Sequence, residues 1–204
     1  MKRFITVVAA VALGLSAMAQ QSFERVNTTS PEFNPDGTVT FRYRNPKAVK
    51  VQLNSDCLPQ ALVAGPFGTS EANVPVDMKE GPGGVWEYTT GVLESELYMY
   101  NFVVDGQKEI DPANKFMCRD GANWTNYFII SKTGDDAGHY YSTNDTPHGN
   151  VSRVWYDSPT LGITRRMTVY TPAGYDKNTK VKYPVLYLLH GGGGDEEAWN
   201  TLGR

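Results

Sequence analysis

The chain has 204 residues, 20% of them charged and 12% aromatic, with a formal net charge of −3. No basic run of five or more residues occurs, which argues against nucleic acid and anionic lipid surfaces as partners. The two cysteines and three histidines lack zinc-ligand spacing, so neither a metal nor a cofactor is expected.

Lys2 and Arg3 give a positive start, an apolar run extends from Phe4 to Leu15, and Ala17-Met18-Ala19 supplies a small-x-small cleavage pattern. The run is shorter than the roughly 20 residues a spanning helix needs. These features predict a signal peptide over 1–19, cleaved after Ala19, and a secreted or periplasmic product with no membrane contact after cleavage. Losing Lys2 and Arg3 takes the charge balance from −3 to −5. An oxidising compartment permits a disulfide between Cys57 and Cys118. Two separate buried thiols are the alternative.

Residues 20–131 read as short strands between turn clusters. Val39, Phe41 and Tyr43 alternate with polar residues, as do Val49, Val51 and Leu53. Trp86 and Tyr88 come after the turn Gly81-Pro82-Gly83-Gly84. A longer strand carrying Tyr98, Tyr100 and Phe102 stops at Asp105-Gly106, a hairpin signal, and Tyr127 to Ile130 closes the series. Turns every 8–12 residues indicate an immunoglobulin-like β-sandwich. Residues 132–150 turn to Gly, Asp, Ser, Thr and His, the chemistry of a linker.

Strand signals resume over 151–204, at Val151 to Tyr156 and Arg166 to Tyr170. The last, Pro184-Val185-Leu186-Tyr187-Leu188-Leu189, is continuously apolar, as a strand buried on both faces would be. It runs into His190-Gly191-Gly192-Gly193-Gly194. The whole is expected to be mainly β, a sandwich followed by what read as the first strands of a truncated α/β-hydrolase domain.

An apolar strand leading into His-Gly-Gly-Gly is the oxyanion-loop signal of α/β-hydrolases. A tetrahedral intermediate places negative charge on the former carbonyl oxygen, and glycines let backbone N–H donors approach it closely. A phosphate cradle is the competing reading, but no Gly-Lys-Ser/Thr comes after it. The segment from His148 to Trp199, with Arg166-Met167-Thr168-Val169-Tyr170-Thr171-Pro172 and Tyr183 to Gly194, resembles the start of the esterase family that includes esterase D, feruloyl, acetyl-xylan and enterochelin esterases. That resemblance implies Gly192 N–H as an oxyanion donor, Gly191 shaping the turn, His190 within the loop, and Trp199 near the pocket rim.

The preceding segment has its own likeness. Gly84-Val85-Trp86, Leu97 to Gly106 and Asp111-Pro112-Ala113-Asn114 resemble an early-set, glycogen-binding-type domain. Asn101 and Lys108 stand where such binders carry lysine and tryptophan. Trp86 and Tyr100 are expected to pack in the core, leaving Trp124 and Asn126 as candidate surface contacts to sugar.

Gly-x-Ser-x-Gly is absent and no histidine occurs after His190. A serine esterase needs a nucleophile, base and acid, so this chain alone is expected to be inactive, the N-terminal fragment of a secreted carbohydrate esterase. Its expected partner is plant-wall polysaccharide or another glycan ester, and no oligomeric state is indicated by the sequence. A stand-alone, non-catalytic carbohydrate-binding sandwich is the alternative. The front of a glucan-branching or amylase-type enzyme is a third reading, which the Arg166–Pro172 and Tyr183–Gly194 segments oppose.

Overall fold

A computed structural model describes residues 28–65, 68–177 and 179–202. The predicted signal peptide lies outside the described residues. In chain order the strands are β1 (Glu32–Phe33), β2 (Val39–Arg44), β3 (Val51–Ser55), β4 (Gln60–Gly65), β5 (Gly68–Asn73), β6 (Val76–Asp77) and β7 (Lys79–Glu80). Then come β8 (Val85–Thr89), β9 (Glu96–Val104), β10 (Gln107–Glu109), β11 (Met117–Asp120), β12 (Asn123–Ile130), β13 (Asn150–Ser158) and β14 (Ile163–Thr171).

Alternation along the strands gives two sheets with apolar inner faces. One runs β1-β2-β8-β7, the other β11-β12-β9-β3-β6 with β10 also on β9. Val39, Phe41 and Trp86 from the first sheet meet Val51, Leu53, Tyr100, Phe102, Val104 and Phe128 from the second, all buried. The Phe41 ring meets Tyr100 at 4.8 Å and Phe128 at 5.5 Å, both edge-on, and Tyr43 lies 4.9 Å from Phe102. Burying each such side chain stabilises the fold by about 1.5–3 kcal/mol, and each aromatic pair adds about 0.5–1.5 kcal/mol. This aromatic seam is what makes two amphipathic sheets one sandwich.

The Asp105-Gly106 turn forms as its sequence predicts. Both residues have positive φ, 48° and 87°, the conformation of a two-residue hairpin turn. The Asp105 carboxylate also accepts the N–H groups of Val49 and Lys50, at 2.9 and 2.8 Å. Val49, expected inside a strand, therefore precedes β3 and is exposed.

Between β10 and β11 the chain is held by a buried polar network. Tyr100 Oη donates to Asp111 Oδ2 at 2.8 Å and accepts from Asn114 Nδ2 at 3.0 Å. Asn126 Oδ1 accepts from Asp111 N at 2.6 Å, while its Nδ2 donates to Asn114 O at 2.9 Å and Phe116 O at 3.3 Å. Burial pushes the Asp111 carboxyl and the Tyr100 hydroxyl above their ordinary values. These bonds satisfy the backbone of the 111–116 turn and so place β11 beside β12. Cys57 and Cys118 are not bonded to one another. Cys57 Sγ accepts from Ser55 Oγ, and burial pushes its thiol up to about 11; Cys118 Sγ lies 3.8 Å from Met99 Sδ.

The segment expected to be a linker is partly folded. Asp136 caps a helical turn, Ala137–Tyr141, by accepting His139 N at 2.8 Å, and that turn packs on β9 and β12. Gly138 sits against the Ile130 carbonyl, where a Cβ has no room. Beyond it, β13 and β14 form a two-stranded hairpin with mostly exposed side chains. The apolar run Pro184–Leu189, expected to be a strand, is irregular, and Val185, Leu186, Tyr187 and Leu189 are exposed. Among the described residues no strand pairs with it, so no ladder holds the run extended and its exposed backbone is left to water.

We expect Asn126→Ala to cost about 3–5 kcal/mol in urea unfolding, because it strands several buried backbone groups at once. Tyr100→Phe should cost about 1–2 kcal/mol. Losses below about 1 kcal/mol for Asn126→Ala would show that the network is not structural. In limited proteolysis, cleavage should fall first within 150–192, before any cut in β3, β9 or β12. Equal resistance of the two regions would contradict this assignment.

Candidate active site

The glycine run folds as a turn. Gly194 N donates to Gly191 O at 3.2 Å, and Gly193 at φ 82° takes the conformation that a type II turn requires at its third position. His190 Nδ1 lies 2.8 Å from Gly191 O. A Cβ on Gly194 would press on the His190 ring at 3.2 Å, whereas Gly191 and Gly192 face open space. No other atom therefore crowds the Cβ side of the turn at Gly191 and Gly192. Trp199, half exposed, donates its indole N–H to Leu189 O at 3.1 Å and so closes the chain over the loop.

The acidic run Asp195-Glu196-Glu197, immediately C-terminal to the glycines, holds them in place. Each of its three carboxylates meets an arginine from a different strand. Arg119 of β11 binds Asp195 at 2.8 Å, Arg153 of β13 binds Glu197 at 2.7 Å, and Arg166 of β14 binds Glu196 at 2.6 Å. The hydrogen bond from Arg119 holds the Asp195 carboxyl below the usual carboxylate range, and Arg153 does the same for Glu197. Glu196 is also lowered, first by its own backbone N–H and then by Arg166. Asp195 Oδ1 in addition accepts Glu197 N at 3.0 Å, turning the chain into the short helical segment Ala198–Thr201. Three acidic residues in a row thus serve as anchors, and no metal-ligand cluster forms among the described residues.

Of the residues singled out from sequence, the structure brings His190, Gly191, Gly192 and Trp199 into one loop. Trp124, half exposed on β12, stands directly across the ladder from Arg119, the residue that anchors Asp195. Asn126 requires correction. It is fully buried, and its amide is spent on the 111–116 turn, so it is not a surface contact for sugar. Trp86 and Tyr100 are core residues, as expected. Asn101 is buried on β9 and Lys108 is exposed on β10. Sequence reasoning missed Arg119, Arg153 and Arg166 as partners of the 195–197 run. The run of three acids was the one available signal.

No family model matches the chain. Among curated proteins, a chain named endo-1,4-beta-xylanase/feruloyl esterase from Xylanibacter ruminicola is 32% identical over 181 residues, covering 85% of this chain and 22% of that one. A match of that length cannot be met by the glycine loop and its hairpin alone. In sequence the chain is similar to one part of this xylanase/feruloyl esterase, and it spans about a fifth of the length of that curated relative. Among solved structures, the ferric enterobactin esterase of Salmonella typhimurium is similar at TM-score 0.43 and 17% identity, over 70% of this chain and 44% of that one. The enterobactin esterase of Shigella flexneri gives 0.47 and 14%, over 70% and 42%, and a pullulanase from an Anoxybacillus species gives 0.36 and 20%, over 52% and 14%. Such slight structural likenesses carry over neither fold nor activity.

The depressed carboxylates fix a pH dependence. A carboxylate whose folded value is lowered contributes attachment that is complete above its unfolded value and is lost as pH falls through the folded one. NMR signals of 195–201, with the Trp199 indole N–H, should be constant from pH 7 to about pH 5 and change below about pH 4. Signals that ignore acid throughout would show that these ion pairs do not hold the turn.

Proposed function

We propose that this chain is the N-terminal part of an exported carbohydrate esterase, a serine carboxylic ester hydrolase acting on feruloyl or acetyl esters of plant-wall polysaccharide such as xylan. The observation that carries this reading is the Gly191–Gly194 turn directly after His190, open at Gly191 and Gly192, in a chain similar to part of an endo-1,4-beta-xylanase/feruloyl esterase. In this reading Gly192 N–H donates to the oxyanion as the acyl carbonyl becomes tetrahedral. The serine nucleophile, its histidine base, the orienting acid and the second oxyanion donor come from residues outside these 204. The division into signal peptide, sandwich (20–131), linker (132–150) and hydrolase segment (151–204) belongs to the same reading. So does the candidate role of half-exposed Trp124 and Trp199 beside the acyl or sugar group.

The exposed apolar segment Val185–Leu189 and the open edges of the β13–β14 hairpin support it, since they are surfaces that further sheet and helix would cover.

The test is to read the gene past Arg204, purify the secreted product, and assay methyl ferulate and acetylated xylan. The expected product carries Gly-x-Ser-x-Gly, then Asp or Glu, then His, and hydrolyses one of these esters, while residues 20–204 alone do not. Gly192→Pro suits the second position of the turn but removes the N–H. It should lower kcat about 100- to 1,000-fold with KM little changed. A true stop after Arg204, or hydrolysis by the short chain alone, would overturn the proposal.

A further inference from the structure

The sandwich meets the glycine loop and the segment immediately after it at three places. The Arg119 guanidinium bridges Gly121 O at 2.7 Å and Asp195 Oδ1 at 2.8 Å, joining the β11–β12 turn to the residue immediately after the glycines. Gly121, at φ 56°, lies under the Gly193 carbonyl so closely that a Cβ would stand 2.9 Å from that oxygen. Thr201 Oγ1 donates to Arg119 O at 3.1 Å, holding the far side of the same turn. The close approach of Gly121 to the Gly193 carbonyl is to the loop's own main chain, while the Asp195 and Thr201 contacts tie down the residues that come after it.

We propose that the sandwich braces the oxyanion loop, with Arg119 a positioning residue that holds Gly191–Gly194 in register through Asp195. This deepens the esterase reading and rests on it for its catalytic consequence. An oxyanion hole works by donors fixed before the charge develops, and a displacement of about 1 Å can cost about a hundredfold in rate. A four-glycine loop is the least able of any sequence to fix itself, because each glycine has the widest backbone freedom. The brace supplies from β11 the rigidity that the loop's own residues lack. The sandwich thereby takes part in the chemistry of the neighbouring segment instead of serving only as a spacer or a sugar-binding unit.

Amide hydrogen exchange on residues 20–204 tests the contact directly. Arg119→Ala should speed exchange across 191–202 by roughly two- to fivefold and leave β3 and β9 unchanged. The exchanged pair, Arg119→Asp with Asp195→Arg, should restore protection. Gly121→Ala, which intrudes on the Gly193 carbonyl without changing charge, should speed exchange at 191–195 and serves if Arg119→Ala disturbs β9. In the longer, ester-hydrolysing product, Arg119→Ala should lower kcat about ten- to hundredfold with KM unchanged, and the exchanged pair should recover it. Unchanged exchange in both Arg119→Ala and Gly121→Ala overturns the brace, whatever the assay shows. Faster exchange with undiminished kcat overturns the positioning role. A wild-type product that hydrolyses no ester sinks the esterase reading while the exchange result still decides whether the brace exists.

Discussion

The buried Asn126 amide is the interaction on which the geometry of this chain depends. It satisfies backbone groups of the 111–116 turn, which have no strand to pair with, and by doing so it sets β11 beside β12. β11 carries Arg119, and Arg119 reaches across 76 residues of sequence to Asp195 at the foot of the glycine turn. A polar residue deep in an apolar sandwich costs free energy unless every donor and acceptor is met. Here the cost is offset because the amide meets main-chain groups that would otherwise be orphaned. Core packing, β11 placement and loop position are therefore one chain of dependence.

The rest of the molecule divides by how well its surfaces are satisfied. The aromatic seam of Phe41, Tyr100 and Phe128 closes the sandwich, and the helical turn at Ala137–Tyr141 packs against β9 and β12 of the larger sheet. The β13–β14 hairpin and the Pro184–Leu189 run are the reverse case. The side chains of both are mainly exposed, and the hairpin is tied to the 195–197 run by arginine–carboxylate pairs. Exposed ion pairs contribute about 0–1 kcal/mol each, far less than burying a single leucine. That imbalance is why the esterase reading places further structure against this part.

Sequence legibility tracked the same physics. β2, β8, β9 and β12 were readable because their apolar residues alternate into a core, and the Asp105-Gly106 turn because only a few dipeptides take two positive φ values in succession. β4 and β5 form an exposed hairpin with no amphipathic alternation, and β11 is four residues of mixed character, so neither left a periodic trace. The Pro184–Leu189 run misled because composition reports what a segment could pair with, not whether a partner lies beside it. Within the site, the glycine loop was plain from local sequence. Arg119 was not, since an ion pair between distant segments leaves no spacing to read. Asn126 was misjudged because polarity in a strand usually means an outward side chain, and here the partners were backbone groups of a turn.

The most direct measurement is a crystal structure of the longer gene product inhibited by a phosphonate ester. A braced oxyanion loop predicts the phosphonyl oxygen within roughly 3 Å of Gly192 N, with Arg119 still paired to Asp195 beneath the loop. A phosphonate met by other amides, with the glycine turn remote from the reactive serine, would contradict it.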